Sequence, residues 1–164
     1  MKTKLSREEL EQIKIKQKNR YKIETKCDVC GKIISVDEIG NGSGCKNCGW
    51  VQDSLSEEFP DRVMCPNLIP LSKAKKLYIE EKPFLPDFDD FIGGLDFYGE
   101  MQFTYQGIDY GVTRGKNDTV DLWIVNAEVL GTFKDSEKFK ENAKIDGKLI
   151  KDIWQEVKDV NWLQ

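Results

Sequence analysis

From Met101 onward, apolar and polar positions alternate along the chain. Met101-Gln-Phe-Thr-Tyr-Gln runs to a turn at Gly107 and returns as Ile108-Asp-Tyr-Gly-Val-Thr, which predicts a hairpin. Gly115-Lys-Asn-Asp is turn chemistry, Thr119-Val-Asp-Leu-Trp-Ile-Val reads as another strand, and Val129 to Phe133 as a fourth. The period then lengthens. Asp135 or Ser136 opens a helix through Ala143, and after Asp146-Gly147 the residues Leu149, Ile150, Ile153, Trp154 and Val157 recur at helical spacing. This pattern predicts a small antiparallel sheet covered by two C-terminal helices, with Trp123 and Trp154 in its core.

The first hundred residues are patterned differently. Ser6-Arg-Glu-Glu9 is a capping box that opens a helix from about Arg7 to about Arg20, with only Leu10 and Ile13 as an apolar stripe. Val51 to Pro70 is irregular and acidic, interrupted by Pro60, Pro66 and Pro70. Ser72 then caps a short helix, about Lys73 to Glu81, that carries Ala74, Leu77 and Tyr78, and Pro83 bars its continuation. Residues 83–100 show Pro, Gly, Asp and Phe in quick succession and read as an acidic-aromatic linker or loop at a domain boundary. The fold class is therefore α+β. A basic N-terminal helix (1–26) precedes a cysteine module with a short helix (27–82), the linker (83–100) and the sheet with two helices (101–164).

Composition sharpens this picture. The chain has 164 residues, 39% hydrophobic and 33% charged, with 8 Phe, 5 Tyr and 4 Trp, too aromatic for disorder throughout. No apolar run is long enough to span a membrane, and the first residues lack the apolar core of a secretory leader, so the expectation is a cytoplasmic protein with no membrane partner. The net charge of −4 is unevenly spread: residues 1–26 carry nine Lys/Arg against four Glu, and residues 51–100 carry five against eleven acids.

Histidine is absent, which removes the Ser-His-Asp, Cys-His and His-metal mechanisms together. Five cysteines remain. Cys27-Asp-Val-Cys30-Gly31 and Cys45-Lys-Asn-Cys48-Gly49 are two knuckles separated by fourteen residues. The two-residue spacer lets both sulfurs of a pair face one ion, and the glycine lets the backbone turn its N–H groups toward the thiolates. Two such knuckles close a tetrahedral site with no open position, which predicts a structural Zn2+ on Cys27, Cys30, Cys45 and Cys48. Iron–sulfur and redox chemistry are the alternatives for the same four ligands. Cys65 has no partner at knuckle spacing and reads as a buried or free thiol, with replacement of one of the four ligands as the alternative.

The run Cys45-x-x-Cys48-Gly49-Trp50-x-x-Asp53, then Pro60-Asp61, then Asn67-x-x-x-Leu71-x-x-Ala74-x-x-x-Tyr78 resembles the bacterial cysteine-rich CPCC family. The likeness covers about residues 26–80. It implies a small zinc-ribbon-like module in which the second knuckle leads through Trp and acids into a short helix. The first knuckle differs from the family's name-giving motif, with Asp28-Val29 between its cysteines. The stretch from Phe103 through Glu141-Asn-Ala-Lys-Ile-Asp-Gly-Lys148 to Trp154 resembles small bacterial modules with a strand meander and a helical end. Both are similar to parts of toxin-immunity proteins, which implies an interaction role.

These features favour a non-enzymatic, zinc-containing binding protein, of the immunity or inhibitor kind that blocks a bacterial toxin or other effector. The expected contact surface for a basic protein partner is Asp87, Phe88, Asp89, Asp90, Phe91, Asp96, Tyr98 and Glu100, where rings supply anchors and acids steer association. The alternative is a regulatory nucleic-acid-binding zinc ribbon that uses Lys14, Lys16, Lys18, Arg20, Lys22 and Lys26 on phosphates. It ranks second because the rest of the chain is acidic. No spacing marks a catalytic acid–base pair or a phosphate loop.

Overall fold

The computed structural model describes residues 24–35, 44–64 and 66–162, with Glu8 and Gln12 as isolated positions, both helical and exposed. The remainder of the helix expected over 7–20, and Cys65, lie outside the described residues. The chain divides into two compact units, residues 1–85 and 86–164.

In the first unit, β1 (Glu24–Lys26) and β2 (Ile33–Ser35) pair antiparallel around the first knuckle. The second knuckle leads into α1 (Ser54–Glu58), a helix the irregular reading of this stretch overlooked. Its cap is Asp53, whose carboxylate accepts from the Ser56 N–H at 2.8 Å. Next comes α2 (Leu71–Ile79), which begins two residues earlier than expected. Pro70 stands at the cap position, and the Ser72 N–H donates to the Pro60 carbonyl at 2.9 Å, so Ser72 sits in the first turn instead of capping it. Cys27, Ile34, Cys45, Trp50, Ile69, Leu71 and Ala74 form the core here.

The second unit opens with α3 (Phe88–Tyr98), in the stretch that reads from sequence as linker or loop. This corrects that expectation, and the reason is local. Asp87 and Asp90 make a reciprocal capping box, each carboxylate accepting from the other's backbone N–H, at 2.9 and 3.0 Å. Phe88, Phe91, Ile92 and Leu95 fall on one buried face, and Gly99, at φ +82°, ends the helix in the left-handed region.

A five-stranded antiparallel sheet follows, built from β3 (Glu100–Tyr105), β4 (Ile108–Arg114), β5 (Val120–Ile124), β6 (Val129–Phe133) and, returning from the far end, β9 (Lys158–Trp162). Its spatial order is β6-β5-β4-β3-β9. Gln106 and Gly107, both at positive φ, make the tight turn between β3 and β4. Both outer strands pair with a slip, β6 between Leu122 and Trp123 of its neighbour and β9 between Gln102 and Thr104. Between β6 and β9 lie α4 (Ser136–Asn142), the two-residue strands β7 (Lys144–Ile145) and β8 (Lys148–Leu149), and α5 (Ile150–Ile153).

The sheet is thus covered mainly by α3, which precedes it, with α4 against β6. The expected final helix through Val157 is only α5 and a 3-10 turn over Trp154–Glu156, because Asp146-Gly147 turns the chain into the β7–β8 hairpin and Lys158 onward pairs with β3. Trp154 is buried as expected. Its ring lies 4.9 Å from Phe91 and 5.0 Å from Phe88, and its Nε1 donates to the Pro86 carbonyl at 3.1 Å. Trp123 is not a core residue. Val120 and Leu122 take the core face of β5, so Trp123 falls on the opposite face with Asp121. There it lies half-buried over Gly111, where a Cβ would come within 2.2 Å of the ring, and donates to Thr113 Oγ1 at 3.0 Å.

Candidate metal centre

The two knuckles share one backbone design. In the first, the Cys27 N–H donates to the Lys32 carbonyl at 2.8 Å and the Gly31 N–H to the Cys27 carbonyl at 2.9 Å. In the second, the Cys45 N–H donates to the Trp50 carbonyl at 2.8 Å and the Gly49 N–H to the Cys45 carbonyl at 2.6 Å. Gly31 (φ +71°) and Gly49 (φ +80°) occupy the left-handed region at equivalent places, which is why the C-x-x-C-G pattern ends in glycine.

These turns bring the four expected ligands together. The sulfurs of Cys27, Cys30, Cys45 and Cys48 all lie within 4.8 Å of one another, and the four are free thiols. The Cys27–Cys48 and Cys30–Cys45 sulfurs are each 3.6 Å apart. Metal–sulfur bonds of about 2.3 Å in a tetrahedron require sulfurs about 3.8 Å apart, so the cluster has the size to hold one metal ion. The first cysteine of each knuckle is buried and the second half-buried.

The electrostatics of the thiols also suit a cation. Burial pushes the Cys27 thiol up to about 11 and raises that of Cys48 as well. At Cys30 burial also acts upward, but the Lys32 N–H and the neighbouring thiols outweigh it and bring the thiol down to about 7. Backbone N–H groups of Lys32 and Trp50 point at Cys30 and Cys48. Metal binding to thiols displaces their protons, so affinity for an ion here depends on pH.

Polar side chains brace this arrangement. Gln52 is buried. Its Nε2 donates to Asp28 and, at 2.8 Å, to Glu57 Oε1, while its Oε1 accepts from the Asp28 N–H at 3.0 Å. Asn67 clamps the backbone of Val51 from both sides, accepting its N–H at 3.2 Å and donating to its carbonyl at 2.8 Å, and also reaches Asp53 at 3.1 Å. Trp50 is buried with Phe84 edge-on at 6.5 Å. The Tyr78 hydroxyl accepts from Asn47 at 3.2 Å. The residues carrying the sequence resemblance thus include the cap, the clamp and the core that hold the second knuckle. Gln52 and the α1 helix were not legible as parts of the site; the only signal was an Asp three residues ahead of a Ser. Beside Cys48 a groove of about 520 Å³ is lined by Asn47, Tyr78, Lys82 and Phe84.

The expected partner-binding residues are placed very differently. Phe88, Asp90 and Phe91 are buried in the second unit, the rings in its aromatic core and Asp90 in the capping box. Asp87 is the cap itself. Asp96 accepts from Arg114 at 3.1 Å and from the Ser136 hydroxyl at 2.7 Å, and so ties α3 to β4 and to the start of α4. Tyr98 stacks on Trp162 at 4.9 Å, and Glu100 is half-buried at the start of β3. Asp89 is exposed, 2.6 Å from the Lys140 ammonium, which that carboxylate holds above its ordinary range. The stretch is therefore largely structural, because carboxylates that read as a charge patch serve as caps and ties.

No helix among the described residues is long and apolar enough to cross a membrane. Comparison with known proteins finds no matching family model, no matching curated protein and no matching solved structure.

Proposed function

We propose that this chain is a non-enzymatic binding protein whose N-terminal unit is built around a structural zinc ion and which acts by binding and blocking a basic protein partner, as an immunity or inhibitor protein does. The observation that carries the reading is the closed four-sulfur cluster. An ion held by Cys27, Cys30, Cys45 and Cys48 has no position left for water or substrate, so the ion supplies folding free energy and no open catalytic position. Soft thiolates at tetrahedral spacing favour zinc over hard cations. The working parts are then the surfaces. Residues 86–164 carry nine Lys/Arg against sixteen Asp/Glu, a charge that draws a basic partner and repels a polyanion.

The test is affinity purification of the tagged chain from its native cell, followed by mass spectrometry and elemental analysis. One zinc per chain and one stoichiometric protein partner support the reading. Nucleic acid that is lost in high salt supports the nucleic-acid alternative instead. With the partner in hand, Asp89→Asn combined with Glu137→Gln removes exposed carboxylates without touching the α3 cap. This double variant is expected to slow association and flatten its salt dependence, with the melting temperature lowered only by the small worth of the exposed Asp89–Lys140 pair.

A further inference from the structure

Burial divides the four thiols unevenly. Cys27 and Cys45 are 2% and 4% exposed, whereas Cys30 and Cys48 are half-buried, and Cys48 also lines the groove bounded by Asn47, Tyr78, Lys82 and Phe84. The sulfur of each half-buried cysteine stands 3.6 Å from that of a buried cysteine of the other knuckle: Cys48 from Cys27, and Cys30 from Cys45. We propose that the cluster is an oxidation site for peroxide, in which Cys30 and Cys48 react first and Cys45 and Cys27 resolve them into two disulfides that cross between the knuckles. The proposal rests on the four thiolates holding zinc.

The chemistry balances as follows. The Cys48 thiolate attacks a peroxide oxygen, so that an S–O bond forms, the O–O bond breaks and hydroxide leaves as water with one proton. The Cys27 thiolate then attacks the Cys48 sulfenic sulfur, forming S–S and breaking S–O, and a second hydroxide leaves with a second proton. The same pair of steps at Cys30 and Cys45 completes the reaction. Two peroxides are reduced to four waters, four thiolates are oxidised to two disulfides, and the zinc ion is released with no ligand remaining. Geometry favours crossing links. A sulfur–sulfur bond of about 2.0 Å asks each sulfur to move by less than about 1 Å from its present distance. The backbone hydrogen bonds that close the Cys27–Gly31 and Cys45–Gly49 turns can remain.

The experiment uses the full chain, with bound zinc first counted by elemental analysis. The protein is titrated with hydrogen peroxide while released zinc is read with a chromogenic chelator. Free thiols are then blocked and the disulfides mapped by mass spectrometry. Cleavage after Lys26, Lys32 and Lys46, and before Asp28, places the four cysteines in four peptides. The expected result is complete loss of zinc at two peroxides per chain, with Cys27 joined to Cys48 and Cys30 to Cys45, reversed by a thiol reductant with zinc present. Disulfides within a knuckle, sulfinic acids in place of disulfides, or zinc retained in excess peroxide would overturn the proposal while leaving the metal reading intact. A chain that binds no zinc overturns the metal reading itself, and this proposal with it.

Discussion

The two units of this chain solve the same problem with different materials. The second unit buries a ring cluster in which Phe88, Phe91, Phe103 and Trp154 meet at centroid distances of 4.9 to 6.1 Å. Among the described residues the first has one large aromatic at its centre, Trp50, and two of the seven residues in its core cluster are cysteines of the four-sulfur group. Their charges differ as well: residues 1–85 carry sixteen bases against thirteen acids, while the second unit is strongly acidic. Two strands of three residues and helices of five and nine residues offer little apolar surface to set against their ordering entropy, and an ion held by the four sulfurs would make up for that small core. The five-stranded sheet and its helices rest instead on an apolar core, tied at its margins by Asp96, Arg114 and Ser136.

The strongest way to break this contrast is to remove the metal. Stripping it with a tight chelator, or making Cys48→Ser, is expected to unfold the first unit from Cys27 to α2, since structural zinc binding is worth about 10–16 kcal/mol. The sheet signals of the second unit should persist, as read by amide NMR. The complementary variant is Phe91→Ala, at a side chain with no exposed surface. It should cost about 3–5 kcal/mol and melt the sheet while the chain still retains its zinc by elemental analysis.

Asp87→Ala tests whether the acids of α3 are caps. A loss of about 1 kcal/mol in denaturant melts of the second unit is expected. A purely solvated acid there would change almost nothing. The smallest effect concerns Asp53, whose carboxyl is raised above 3.8, first by burial, against the opposing hydrogen bonds of Ser56, Leu55 and Asn67. A raised carboxyl favours the protonated folded state. Its contribution is fully present below the ordinary value and is lost as pH rises through the raised one. Asp53→Asn keeps a capping oxygen and abolishes this titration, so its melting temperature should gain on the parent's as pH rises from acid toward neutrality. The pH dependence of metal binding is common to both proteins and drops out of that difference.

The sequence shows most clearly the features that depend on nearby residues. The two knuckles are legible because five consecutive positions specify each turn, and the β3–β4 hairpin because alternation and Gln106-Gly107 lie side by side. The same holds for α4, opened by Asp135. What escaped depends on distant partners or on ambiguous chemistry. Asp87 and Asp90 have the spacing of a capping box, but Pro86 before them and Gly93-Gly94 within the run speak against a helix until Phe103 and Trp154 are there to pack on it. Lys158 to Trp162 shows no strong strand pattern and becomes a strand because the edge of β3, more than fifty residues earlier, is open to it. Trp123 reads as core because it lies in an apolar strand, yet its even spacing from Asp121 assigns it to the outer face.

The slips in pairing at both margins of the sheet have a consequence for how the protein behaves when crowded. A straight outer strand is a template on which another chain can add itself, and β6 carries two apolar side chains in the open, Val129 at 61% and Leu130 at 41% exposure. The extra residue on β6 bends that margin, and Glu128 and Lys134 bracket it with charge. At the other margin Asp159 turns to a positive φ beside Lys158. Neither border presents the flat, regular ladder from which intermolecular sheets and fibrils grow, so the fold carries its own protection against aggregation.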